Sequence, residues 1–214
     1  MSEEKIKLLI ADDHAIVREG LKQIALSDEN ITVSGEASTG DEAIAKIRDE
    51  EFDVVVLDLS LPDRSGFDVL SHVRAARPHL SVLILSMERE EEFAMRCLRA
   101  GAAGYLEKRS APDQLVSAIK RLAHGKRYVS AELADRLALH LDRPAVERPH
   151  DLLSAREFEV FLMIASGKPV SRIAEGLGLS VKTVNNHRAH ILEKLGMKST
   201  AELIRYAIRH DLIH

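Results

Sequence analysis

The chain has 214 residues, 45% of them hydrophobic and 30% charged, with a net charge of −4, no Trp and a single cysteine, Cys97. That length allows one large domain or two small ones, and the scarcity of aromatics leaves the core to aliphatic side chains. A lone cysteine excludes an internal disulfide framework and fits a reducing compartment. The stretch Met1-Ser2-Glu3-Glu4-Lys5 carries acids where a signal peptide carries bases, and the apolar run behind it is too short to span a bilayer. The expected setting is cytoplasmic, with no membrane partner.

The charge is unevenly spread. Residues 151–214 hold nine Lys and Arg against seven Asp and Glu, a net of +2, so residues 1–150 carry −6. A mildly basic piece on an acidic carrier is weak support for a polyanion partner.

In chain order, short apolar runs at 6–11, 31–36, 53–57, 81–85 and 104–107 read as strands. Amphipathic stretches at about 15–26, 40–49, 65–76, 89–99 and 112–124 read as the helices between and after them. Five strands alternating with five helices predict a doubly wound, five-stranded parallel α/β sheet. Val54-Val55-Val56-Leu57 lacks polar alternation, as a central strand covered on both faces should. Residues 130–141 suit one more helix, and the polar stretch 142–150, with Pro144 and Pro149, suits a linker.

From 151 onward every element reads as helical. Ser154-Ala155-Arg156-Glu157 is a capping-box pattern opening a helix to about Ser166, which Gly167 and Pro169 end. A short helix at Ser171–Leu177, a turn at Gly178 and Leu179, and a longer helix capped by Ser180 and running to Leu195 form a helix-turn-helix. A last helix covers about Thr200–His210. The expected domains are 1–125, a partly helical linker at 126–150, and a small all-α unit at 151–214.

The strand ends carry chemistry. The first run ends in Asp12-Asp13, the third in Asp58, the fourth in Ser86 and the fifth in Lys108. In a parallel sheet these ends share one edge, where ligands bind. Asp12, Asp13 and Asp58 are hard oxygen ligands suited to Mg²⁺. Asp58 is the best candidate nucleophile, since a carboxylate can form an aspartyl-phosphate. Lys108 offers a point charge to a phosphoryl oxygen, and Ser86 a hydrogen bond. Each residue alone is more often a turn, cap or solvated group. Their joint occurrence at four of five strand ends favours the functional reading.

These residues, with Pro62 and Gly66 after Asp58 and with Leu9-Ile10-Ala11-Asp12-Asp13-His14 and Gly101-Ala102-Ala103-Gly104-Tyr105-Leu106, resemble the receiver domain of two-component response regulators, in particular the NarL/FixJ branch. The resemblance implies a flavodoxin-like receiver in which Asp58 accepts phosphate from a histidine kinase or a phosphotransfer protein. It implies Mg²⁺ held by Asp12, Asp13, Asp58 and the Ser60 carbonyl, with Ser86 and Tyr105 as switch residues and Lys108 on the phosphate. Lys108 is followed by Arg109-Ser110 where many receivers place Pro. Met87 follows Ser86 where many carry Ala or Gly, and Met87, Ser60 and Glu88 are the expected determinants of phosphate lifetime.

In the second part, Val184, Ile191 and Leu195 recur on one side of the helix after Ser180, and its other positions are polar. Such a helix lays its N-terminal residues in the major groove. Leu153-Ser154-Ala155-Arg156-Glu157, Ile173-Ala174 and Leu179-Ser180-Val181-Lys182-Thr183-Val184, with His187 and Lys194-Leu195, resemble the LuxR-type DNA-binding domain of the same regulators. That likeness implies double-stranded DNA as partner. Asn185, Asn186 and Ala189 would then face bases, with Lys182, Thr183, Arg188 and Lys194 on phosphates. Ala201, Ile204 and Ile208, on the last helix, would serve a homodimer formed when the protein is active. The expected function is a phosphorylation-switched transcription regulator rather than an enzyme. A haloacid-dehalogenase-like phosphatase would want a second acid in Asp58-Leu59-Ser60, and a phosphorylation-independent DNA binder would not need the full acidic set.

Overall fold

Aliphatic runs without polar alternation are stable as strands only where helices cover both faces, and the first half of the chain folds accordingly. The computed structural model describes residues 5–86, 91–135 and 148–213. The strands are β1 (Ile6–Ala11), β2 (Ile31–Ala37), β3 (Val54–Asp58), β4 (Ser81–Ser86) and β5 (Gly104–Glu107). They form one parallel sheet in the order β2-β1-β3-β4-β5. The helices between and after them are α1 (Ala15–Leu26), α2 (Gly40–Asp49), α3 (Gly66–Ala76), α4 (Glu91–Arg99) and α5 (Ala111–Ala123). The expected elements are thus present, their ends differing by a residue or two.

The pleat sorts the core. Leu8, Ile10, Val54, Val56, Leu83, Leu85 and Leu106 project to one face, against Leu21 and Ala25 of α1 and Leu115, Ala118, Ile119 and Leu122 of α5. The intervening residues Leu9, Val55, Leu57, Val82 and Ile84 are equally buried on the other side. All five residues of β3 are buried. Strand order reverses between β1 and β3, so the crevice at their C-terminal ends is where this topology leaves room for a ligand.

Gly66 sets the approach of α3 to that crevice. Its N–H donates to the Leu59 carbonyl at 3.0 Å, and a Cβ here would lie 2.6 Å from both the Asp58 carbonyl oxygen and Leu59 Cα. Ser65 caps the same helix by accepting from the Phe67 N–H. Asp63 binds the N–H groups of Gly40 and Asp41 at 2.7 and 2.9 Å, fastening the loop after β3 to the start of α2. Beyond α5 the chain returns to the sheet edge. Tyr128 donates to the Ala103 carbonyl and accepts from the Tyr105 N–H, so residues expected to open the linker pair with β5.

The chain divides into two compact units, Met1–His140 and Leu141–His214. The expected helix at 130–141 is helical over 131–135, and its remainder lies outside the described residues, as do linker residues 142–147 and Met87 and Glu88. The second unit holds α6 (Ala155–Ala165), α7 (Val170–Gly176), α8 (Val181–Lys194) and α9 (Thr200–Arg209), preceded by a 3₁₀ turn at Pro149–Leu152. Its core gathers Phe158, Phe161, Ile173, Val184, Ile191, Leu203 and Ala207. No helix among the described residues is long and apolar enough to cross a membrane.

Gly66→Ala should destabilise the first unit by about 1–3 kcal/mol, since the added methyl meets backbone atoms that cannot swing aside. A lowered thermal midpoint by circular dichroism checks it, and an unchanged midpoint would show that α3 has room to retreat.

Candidate functional site

Because β1 and β3 are neighbours with strand ends in register, Asp12 and Asp58 emerge side by side at the crevice. Both are almost completely buried, at 1% and 2% exposure. Lys108, one residue past β5, reaches across and places its Nζ 2.8 Å from Asp12 Oδ2 and 2.7 Å from Asp58 Oδ2. The Ser60 N–H donates to Asp58 Oδ1 at 3.3 Å, from an exposed residue. Asp13 stands at the mouth, half-buried. Ser86 is buried at the end of β4, one position beyond the residue paired with Asp58, and Tyr105 is buried on β5 opposite Ile84.

Three carboxylates face one ammonium in this crevice, an uncompensated acidity that burial makes costly. Burial raises the Asp58 pKa and nearby Asp12 adds to the rise, against the pull of Lys108 and the Ser60 N–H. Burial works against the Lys108 ammonium too, but its two carboxylate partners outweigh it and raise its pKa. Asp12 Oδ2 and Asp13 Oδ1 are buried carboxylate oxygens. They meet only an ion-pair partner among the described residues, Lys108 for one and the His14 ring for the other. Carboxylate oxygens of Asp12, Asp13 and Asp58 and a ring nitrogen of His14 lie within 4.8 Å of one another. The donor set and its excess charge suit a divalent cation.

Two supports were not visible in the linear pattern. Arg18, one turn into α1, donates to the Asp12 carbonyl at 2.6 Å and pairs with Glu36 at the end of β2. Lys22 lies 2.6 Å from the same Glu36, the main reason the Glu36 carboxyl titrates lower than usual. The backbone N–H of His14 holds Asp12 Oδ1 at 2.8 Å. The spacing of Arg18 and Lys22 on one helical face was the available signal, but nothing linked them to Glu36.

In the second unit, Ser180 caps α8 by accepting from the Thr183 N–H, and its hydroxyl is 2.8 Å from that of Thr183. Gly178 takes a positive φ of 62° in the turn from α7. Val184 and Ile191 are buried within α8, as is Leu195 just after it. Lys182, Asn186 and Ala189 are exposed, and Thr183, Asn185 and Arg188 are half-buried. On α9, Ala201 is exposed, Ile204 half-buried and Ile208 58% exposed, while Leu203, Ala207 and the following Leu212 supply the packing.

Lys194 departs from the rest of that set. Its Nζ sits 2.6 Å from Glu157 Oε2, and Glu157 also accepts from the Ser154 N–H in the α6 capping box. Arg156, beside it, donates to the Leu177 carbonyl at 3.0 Å. The Arg156-Glu157 pair on α6 therefore grips the C-terminal ends of both helices of the helix-turn-helix. A polar helical position does not reveal whether its charge faces a nucleic acid or a buried acid of its own domain.

A doubly wound sheet with an acidic pair, a buried aspartate and a lysine at its switch point is a receiver, and here it shares a chain with a helix-turn-helix. Residues 8–120 match the response regulator receiver domain, and residues 151–207 match the luxR family of bacterial regulatory proteins. The response regulator UvrY of Escherichia coli (strain K12) is 38% identical over 97% of this chain and 95% of its own length. The response regulator GacA of Pseudomonas syringae pv. syringae is 37% identical over 97% and 98%. Among solved structures, RcsB from Salmonella enterica serovar Typhimurium, bound to a promoter in the presence of phosphomimetic BeF3⁻, is similar with a TM-score of 0.69 at 26% identity. That match covers 95% of this chain and 98% of RcsB. The chain belongs to the response regulators that join a receiver domain to a LuxR-type DNA-binding domain, a family of transcription regulators.

Lys194→Met, which leaves Glu157 without its ammonium, should lower stability by about 1–3 kcal/mol, toward the lower end because Lys194 is partly exposed. Burial would raise the Glu157 pKa, but Lys194 and the Ser154 N–H hold it below the usual value. The contribution is therefore complete above the ordinary Glu pKa of about 4.3 and is lost as pH falls through the lowered folded value. Urea unfolding of wild type and variant across that range should show the gap closing in acid. A gap independent of pH would separate Lys194 from Glu157.

Proposed function

We propose that Asp58 is the phosphoacceptor of a two-component switch and that its phosphorylation, by a histidine kinase or a phosphotransfer protein, promotes dimerisation and sequence-specific binding to double-stranded DNA. The observation that carries this reading is the buried Asp58 held 2.7 Å from Lys108 at the sheet's switch point. In the transfer, the phosphorus–nitrogen bond of a phosphohistidine breaks as an Asp58 oxygen takes the phosphorus. Lys108 opposes the burial that raises the Asp58 pKa and then offers its charge to the phosphoryl oxygens. Asp12, Asp13, Asp58 and the Ser60 carbonyl would hold Mg²⁺, which supplies neutralisation of the phosphoryl charge. Ser86 would donate to the arriving group, and Tyr105 would follow it as the second switch residue.

The reading extends to the rest of the chain. Residues 1–125 act as receiver, 126–150 as a partly helical linker and 151–214 as the DNA-binding domain, working in the cytoplasm. Asn185, Asn186 and Ala189 would meet bases, and Lys182, Thr183 and Arg188 phosphates. Lys194 is assigned to holding the domain together through Glu157, and Ala201, Ile204 and Ile208 to the partner subunit. The protein keeps its phosphoryl group as a signal rather than turning over a phosphate ester, because Asp58-Leu59-Ser60 carries no second acid to activate water.

Acetyl phosphate and Mg²⁺ should add one phosphoryl group to the wild type and none to Asp58→Ala, read by intact mass. DNA selected from a random pool should then bind the phosphorylated wild type roughly 5- to 150-fold more tightly than Asp58→Ala. Equal affinity would support a phosphorylation-independent binder, and release of p-nitrophenol from its phosphate ester by the purified protein would support a phosphatase. Arg188→Ala should reduce the slope of log affinity against log salt by about one, while Asn186→Ala should relax sequence preference by about 1–3 kcal/mol at one position.

A further inference from the structure

His14 is the one nitrogen ligand in the acidic crevice among the described residues, and its placement there follows from the backbone. It occupies the N-cap position of α1, yet its side chain makes no capping hydrogen bond. With φ of −84° and ψ of 104°, the residue is extended. Its ring lies over the acids, Nδ1 being 2.6 Å from Asp13 Oδ1 and 3.5 Å from Asp12 Oδ1. The side chain is 65% exposed, so it can turn about χ1 and χ2 without disturbing the core. The carboxylates of Asp12 and Asp58 are nearly fully buried and both are held by Lys108 Nζ. An exposed imidazole at the rim of a buried, over-acidic pocket is a different donor set from carboxylates alone.

We infer that His14 is a ligand for borderline first-row cations at this site. Zn²⁺ and Co²⁺ bind through the imidazole together with the carboxylates, whereas Mg²⁺ uses oxygen donors only. The reason is the chemistry of the donors. Mg²⁺ is hard, keeps several waters and gains little from nitrogen. Zn²⁺ and Co²⁺ take imidazole readily, at about 2.0–2.1 Å for Zn²⁺. His14 thereby determines which class of cation the crevice prefers. The inference rests on the reading of Asp12, Asp13 and Asp58 as a cation site.

A purely structural His14 would steady the Asp13 carboxylate through its 2.6 Å contact and so affect every cation alike. Calorimetric titration of the full chain with Mg²⁺, Zn²⁺ and Co²⁺ separates the two roles, using wild type, His14→Ala and His14→Asn, the last keeping a good N-cap. Both variants should weaken Zn²⁺ and Co²⁺ by about ten-fold or more while changing Mg²⁺ by less than about two-fold. The visible bands of the Co²⁺-loaded wild type should shift in both variants. Equal losses for all three cations overturn the inference. So does a Co²⁺ spectrum unchanged in both variants, which would place that cation on other histidines. Asp13→Asn tests the underlying reading separately, since Mg²⁺ affinity that survives it removes the acidic site itself.

Discussion

The contact on which the first domain depends is Lys108 lying between Asp12 and Asp58. It brings the ends of β1, β3 and β5 to one point, and it only partly offsets the acids gathered there. Burial keeps that residual charge from being screened by water, so the crevice is electrostatically incomplete by construction. The donor set of such a pocket suits a divalent cation. Everything nearby limits its relaxation. Gly66 lets α3 press against the Asp58 backbone, Asp63 ties the following loop to α2, and Arg18 holds the Asp12 carbonyl.

The second domain solves a different problem with a similar device. A helix-turn-helix of a short and a longer helix has little core of its own, so its orientation depends on what grips it from behind. Arg156 and Glu157, adjacent on α6, reach the carbonyl at the end of α7 and the ammonium at the end of α8. Residues that mark the family in sequence are thus a clamp. The face left outward by that clamp carries Lys182, Asn186 and Ala189, with Arg188 half-buried beside them.

Much of the site could be read from the sequence because strand ends in a parallel sheet converge regardless of their separation in the chain. Asp12, Asp13, Asp58, Ser86 and Lys108 each follow an apolar run, and that regularity alone put them on one edge. Arg18, Glu36 and His14 escaped the same reasoning because their role depends on how far and in which direction a side chain reaches. Lys194 escaped it for a related reason, since a long cation on a polar face can turn outward or back onto its own domain.

The sequence by itself determined the two architectures and the residues that could do phosphoryl chemistry. Those follow from periodicity and from the topology that alternating strands and helices allow. Only the tertiary structure decided how charges are partnered: Lys108 on two acids, Glu36 between Arg18 and Lys22, Glu157 on Lys194, and the His14 ring over Asp13. Electrostatic pairing falls off over a few ångströms and depends on burial. It is therefore settled by the packing of elements distant in the chain.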